Sequence, residues 1–218
     1  FQPREPINSL FGAMSETPLM VEFQITQEYL GHSIQLVYLA PMWKEVLEQD
    51  TYCNGPGSTV ARVTDGTVYP AKRSAIAGVS NIGTDANWTG HVFGQANWYA
   101  FGRLAWDPSL TSYDIADEWL RMTFTNDIDF VAPVGELMMA SYEAAVNYMQ
   151  PLGLHHIFAA EHHYGPGVWE RITPDGNRPD WVPEYYHRAD SERVGFDRSS
   201  TGTNYVSQYF PPLRDMYD

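Results

Sequence analysis

Three groups of side chains in this sequence have the types and spacing to do chemistry. The first is a single carboxylate. Glu28 follows the short apolar run Leu19 to Ile25, which stands behind Pro18. Such a run reads as a buried strand. Barrel and open α/β proteins place their reactive groups just past the carboxyl ends of strands. Glu28 is therefore a candidate catalytic carboxylate, although the same pattern also fits an exposed loop acid. Glu22 lies inside the run, so burial there would demand a cation such as Arg4 or a polar network.

The second group is His155, His156, Glu161, His162 and His163. Four histidines this close invite a zinc reading. The spacing matches no His-Glu-x-x-His pattern, no cysteine accompanies it, and adjacent histidines point to different sides. No metal is expected, and stacking or hydrogen bonding beside Tyr164 and Trp169 is. The third group is the stretch Trp169 to Arg188, with Trp181, Arg171, Arg178 and Tyr185 among its members. Its flat faces and donors suit sugar hydroxyls or a carboxylate. They equally suit an irregular region packed on its own aromatics. Asn54-Gly-Pro-Gly57 lacks the Lys and Ser/Thr of a phosphate loop and reads as a turn. Asn87-Trp-Thr89 has the spacing of a glycosylation sequon.

The elements that must position these groups alternate. After the strand at 19–25, Tyr29 to Leu39 is ambiguous. Pro41 then opens a short helix whose buried face is Trp43, Val46 and Leu47. Residues 51–74 read as loop, and Ser74 to Ser80 as a second buried strand. A polar loop holding Trp88 follows. A helix over 91–106 then ends at Asp107-Pro108. Strands alternating with helices imply βαβ units and a parallel sheet, and two strands alone are too few to make it stable. Beyond Pro108 the pattern is helical. Thr111 to Asp114 resembles a capping box, with Ile115, Trp119 and Met122 on one face. A further helix runs from about Val131 to Gln150, with Val134, Leu137, Met138, Ala145 and Tyr148 on one face, and Pro151 and Gly153 stop it. Residues 151–218 are rich in Pro, Gly and aromatics, with little period.

The chain has 218 residues, 44% hydrophobic and 18% charged, enough for a packed core. A net charge of −14 argues against nucleic acid and anionic membrane surfaces as partners. With Cys53 as the one cysteine, no intrachain disulfide forms. That leans to the cytoplasm and leaves secretion as the alternative. There is no apolar run of membrane-spanning length and no visible signal peptide. The chain begins at Phe1 rather than Met, which suggests the middle of something longer.

Several ordered motifs carry a family resemblance. They are Phe23-Gln-Ile-Thr-Gln-Glu-Tyr-Leu-Gly31, Leu36-Val-Tyr-Leu-Ala-Pro-Met-Trp-Lys-Glu45, Tyr52-Cys-Asn-Gly55, Gly78-Val-Ser-Asn-Ile-Gly83 and Asn87-Trp-Thr-Gly-His91. Then come Gln95-Ala-Asn-Trp-Tyr-Ala-Phe-Gly-Arg103, Pro151-Leu-Gly-Leu-His-His156, His162-His-Tyr-Gly-Pro166 and Tyr185-Tyr-His-Arg-Ala-Asp190. Together they resemble the α-glucuronidases of glycoside hydrolase family 67 over nearly the whole chain.

The resemblance implies an α/β plus α architecture. Residues 1–108 would be the last part of a (β/α)8 TIM barrel, and 109–218 part of a mainly helical C-terminal domain. It implies inverting removal of glucuronic acid, or its 4-O-methyl ether, from O2 of the terminal xylose of xylo-oligosaccharides. No cofactor is implied, and the intact enzyme is expected to be a homodimer. Glu28 matches the Glu of the family's Gln-Glu-Tyr-Leu-Gly motif and would be the general base or its partner. The companion Asp and the general acid would lie upstream of Phe1, so these residues alone are expected to be inactive. A family Trp that stacks on xylose is best matched by Trp181, then Trp169, with Trp88 a weaker candidate. The alternatives are a glycosidase of different sugar specificity or a non-catalytic carbohydrate-binding module.

Overall fold

The computed structural model of the chain describes residues 20–25, 36–70, 74–80, 92–149 and 214–215. Two compact units are present. One comprises Met14–Ala145, the other Phe1–Ala13 with Val146–Asp218. Of the second unit, the described residues are 146–149 and the neighbours Arg214 and Asp215.

The larger unit mixes helices with a small parallel sheet. Strand β1 is Val21–Gln24, and helices α1 (Ala40–Glu48) and α2 (Val60–Thr64) lead to strand β2 (Ile76–Val79). Helices α3 (Val92–Trp106), α4 (Ser112–Thr123) and α5 (Ile128–Met149) follow. β1 and β2 run parallel in a register that pairs Val21 with Ile76 and Gln24 with Val79.

The strand expected at 19–25 is present, and Val21, Phe23 and Ile25 are buried. Glu22 and Gln24 alternate outward, so Glu22 is exposed and has no burial to compensate. β2 departs from its expected burial. Ile76 is half-buried, and Ala77, Gly78 and Val79 are exposed or nearly so. Parallel strands are ordinarily covered on both faces, and the described residues hold only these two.

Helix α1 begins as its proline dictates. Pro41 sits in the first turn, where a missing N–H loses no bond. Its Trp43, Val46 and Leu47 are buried as the spacing predicts. Trp43 is the hub of the core. Its ring lies 5.7 Å from Phe23 of β1 and meets Phe101 of α3 edge-on at 6.2 Å, favourable aromatic geometry. Lys44 on the same helix donates to the Pro108 carbonyl at 2.7 Å and pairs with Glu48 at 2.7 Å. It thereby ties α1 to the turn between α3 and α4.

α2 lies inside the stretch read as loop. Thr59 caps it, accepting the Arg62 N–H at 3.3 Å. A five-residue helix is too short for periodicity to reveal. The turn before it is as expected, with Gly55 and Gly57 at φ near +83° and +84°, where glycine carries no steric cost. Asp50 closes this loop by accepting from the Tyr52 N–H at 2.9 Å and the Gly57 N–H at 2.6 Å.

In α3 the buried stripe is Phe93, Ala96, Asn97, Ala100 and Leu104. α4 is capped by Thr111, whose hydroxyl accepts from the Asp114 N–H at 3.0 Å and donates to the Asp114 carboxylate at 2.7 Å. In an ordinary capping box the acid reaches the backbone N–H of the cap residue. Ile115 and Trp119 are buried, but Met122 is 65% exposed. α5 starts at Ile128, three residues before the expected start. The Asp127 carbonyl accepts from Phe130 and Val131, and its carboxylate from the Asp129 N–H. Its buried line is Val131, Gly135 and Met138, and the expected Leu137 is exposed. The true stripe is therefore rotated from the one the apolar residues suggested.

α3 and α4 are joined by a polar lock. Arg103 donates to both oxygens of Glu118 at 3.0 and 3.2 Å, and the Tyr99 hydroxyl donates at 2.8 Å. The Arg103 and Tyr99 hydrogen bonds hold the Glu118 carboxyl below its ordinary range. Its contribution to stability is thus complete above that range and is lost as pH falls through the lowered folded value. We expect thermal stability to fall with pH in that acidic window. Glu118→Gln should remove that part of the dependence in melting curves recorded across pH. An unchanged pH profile would count against the lock.

Gly78 generates a second expectation. A Cβ there would lie 2.6 Å from Ile25 Cδ1 and 2.7 Å from the Phe101 ring. Gly78→Ala should therefore destabilise by about 1–3 kcal/mol through overpacking, as read by chemical denaturation. A neutral effect would mean that the contact is not close.

Candidate active site

The candidate residues Glu28, Trp88, Trp169 and Trp181 lie outside the described residues, as do the histidines at 155–163. What the structure describes is the frame at both ends of the segment that carries Glu28.

The first end is the carboxyl end of β1. Ile25 is fully buried, and its N–H donates to the Val79 carbonyl at 2.7 Å. Sheet pairing thus holds the backbone up to three residues before Glu28.

The second end is the segment Val37–Leu39. It belongs to no sheet or helix, yet its polar groups cannot be left dry and unpaired. Side chains take the place of a neighbouring strand. The Asn97 amide accepts the Leu39 N–H through Oδ1 at 2.8 Å and donates through Nδ2 to the Val37 carbonyl at 3.0 Å. Tyr38, between them, donates its N–H to Ser141 Oγ at 2.9 Å and its hydroxyl to the Ser112 carbonyl at 3.0 Å. Helices α3, α4 and α5 therefore all hold these three residues.

Tyr38 is fully buried. That burial, reinforced by Tyr99 and Glu118, pushes its phenol well above the ordinary tyrosine value. It stays neutral and remains a donor. Asn97 is only 2% exposed within an otherwise apolar stripe. Both ends of its amide are engaged, as burial of a polar group requires.

Sequence reasoning did not single out Asn97, Tyr38 or Ser141. One signal was available. An asparagine on the apolar face of a helix must find partners, although its position does not say which. Cation chemistry is a different matter. Among the described residues no group of His, Cys, Asp and Glu could hold a metal ion.

Comparison with known proteins supplies the family. The middle domain of glycosyl hydrolase family 67 matches residues 1–88, and the family's C-terminus matches residues 89–218. Alpha-glucuronidase A of Emericella nidulans is 40% identical over all of this chain and 25% of its own length. The alpha-glucuronidase of Hypocrea jecorina is 38% identical over 96% of this chain and 24% of its own. A probable alpha-glucuronidase A of Aspergillus oryzae is 36% identical over all of this chain and 26% of its own. The chain therefore spans about a quarter of the length of these relatives. With the two family models together covering residues 1–218, this chain belongs to glycosyl hydrolase family 67.

Proposed function

We propose that these residues serve an inverting α-glucuronidase. It cleaves the α-1,2 bond between glucuronic acid, or its 4-O-methyl ether, and the terminal xylose of xylo-oligosaccharides from xylan. The observation that carries the reading is the position of Glu28. It stands four residues beyond the last residue of a parallel strand, in a chain of this family. Strand carboxyl ends are where such folds gather reactive groups.

In this reading Glu28 is the general base or its partner. It takes a proton from water as the water attacks the anomeric carbon. A general acid delivers a proton to O2 of the departing xylose. Inversion needs the two functions on opposite faces, with carboxyl groups roughly 6.5–9.5 Å apart. We assign the acid and the companion Asp to positions outside these residues. The short sheet is then part of a (β/α)8 barrel whose other strands cover β2. Trp181, with Trp169 and then Trp88 as alternatives, stacks on the xylose ring. The helical part begins near residue 109 in this reading. Met122, Phe124 and Ile128 are exposed there, and a homodimer of the intact enzyme is part of this reading.

Two experiments test the reading. Glu28→Gln in the intact enzyme should lower kcat by several orders of magnitude while the fold is retained. A positioned base contributes about 10²–10⁴-fold to rate, and the loss should reach at least that range. Near-wild-type kcat with aldotetraouronic acid would refute the assignment. A polypeptide of the 218 residues alone should release no glucuronic acid from that substrate. Clear turnover would place a complete carboxylate set within it.

A further inference from the structure

Strands β1 and β2 present two unlike faces. One is packed. Val21, Phe23 and Ile25 are buried, and Phe23 lies against Trp43 of α1. A Cβ on Gly78 would meet Ile25 Cδ1 and the Phe101 ring, so that glycine stands on the same side. The other face carries Glu22 and Gln24 of β1, both exposed. The register sets Ala77 beside Glu22 and Val79 beside Gln24, and these two are exposed as well. Residues two apart on a strand share a face, so the four side chains form one patch.

Such a patch is unusual as an outer surface. Parallel sheets are ordinarily covered on both faces, and two strands are too few to stand alone. The chain spans about a quarter of the length of its relatives, so most of such a chain remains to supply a cover. Water tolerates a carboxylate at Glu22 freely. Under a cover the same carboxylate is costly unless it is paired. Among the described residues no cation meets it. Lys44, Arg62, Arg103, Arg121 and Arg214 are all engaged elsewhere. We propose that further strands of the intact chain close over the Glu22–Gln24 face, and that one of them sets a lysine or arginine against the Glu22 carboxylate. The proposal rests on the reading of the sheet as part of a (β/α)8 barrel.

The pattern of β1 favours a basic partner over a purely apolar cover. A strand buried on both faces ordinarily reads as a continuous apolar run, whereas β1 alternates between buried apolar and exposed polar residues. Ala77, in register with Glu22, is small, and a long basic side chain can lie over it to reach the carboxylate. Arginine would meet it with a planar fork of donors and lysine with a point charge. Gln24 offers a donor and an acceptor at the next position on the same face.

Two variants of the intact enzyme test the proposal. In Ala77→Cys the introduced thiol reports whether the face is covered. It should resist alkylation by iodoacetamide in the folded enzyme and react once the enzyme is unfolded, as read by peptide mass spectrometry at that position. Glu22→Gln keeps the size of the side chain and removes its charge. It should lower the melting temperature by several degrees, because it leaves a buried cation without its partner. Rapid labelling of the folded Ala77→Cys enzyme means an open face, and the barrel cover and the pairing then fail together. A protected thiol with an unchanged or raised melting temperature in Glu22→Gln overturns the pairing alone. Should Glu22→Gln fail to fold, Glu22→Asp decides. It retains the charge, so folded enzyme is expected, and failure of both variants to fold overturns the pairing.

Discussion

The larger unit depends on how a segment outside any sheet or helix is satisfied. Val37–Leu39 is half-buried around a fully buried Tyr38, and the buried peptide groups there need partners. Asn97 supplies both from one amide, and Ser141 supplies a third partner. The consequences spread along the chain. Leu39 is the residue before the first turn of α1, and its carbonyl accepts the Trp43 N–H at 3.1 Å. Fixing Leu39 therefore fixes where α1 begins and where Trp43 enters the core. Trp43 in turn contacts Phe23 and Phe101, which brings β1 and α3 into one packed layer. Its own indole N–H is buried and meets no acceptor among the described residues. The apolar contact of the rest of the ring offsets that cost.

Charge plays a narrower part. The chain carries 27 acidic and 13 basic residues, and several of the described cations sit at joints. Lys44 reaches the Pro108 carbonyl, Arg62 the Gly57 carbonyl at 2.7 Å, and Arg121 both Asp117 and the Asn126 carbonyl. A half-exposed ion pair such as Arg121–Asp117 adds little stability by itself. The effect of these contacts is geometric, because each fastens a turn to a helix. The loop between Asp50 and Thr59 is closed in a similar way. Its glycines at 55 and 57 take left-handed conformations, while Tyr52 at φ 54° is an uncommon case for a large side chain. The Asp50 carboxylate engages the Tyr52 and Gly57 N–H groups. Donors that a phosphate loop would present to a ligand are thus turned inward.

The motifs that carry the family resemblance prove to be partly scaffold. Within Gln95 to Arg103, Asn97 holds Val37–Leu39, Phe101 packs on Trp43, and Tyr99 and Arg103 bind Glu118. A motif of this density can therefore mark the packed frame of a fold as well as reacting groups. Of the candidate site, Glu28 was legible only as a carboxylate after a strand, because a lone acid has no spacing partner to give it meaning. The role proposed for it rests on resemblance.

The sequence by itself determined where the elements lie. Proline at Pro41, the cap at Thr111 and the spacing of apolar residues are local signals, and they located both strands and most helices to within a few residues. It also determined the family. Tertiary structure alone decided which helix faces are buried, that Met122 and Leu137 point outward, that β2 is largely exposed, and that Asn97 rather than a strand completes Val37–Leu39. The physical reason is separation along the chain. The Asn97 and Ser141 bonds to that segment span 58 to 103 residues. Local periodicity says that such polar groups need partners and cannot say which ones the fold will bring.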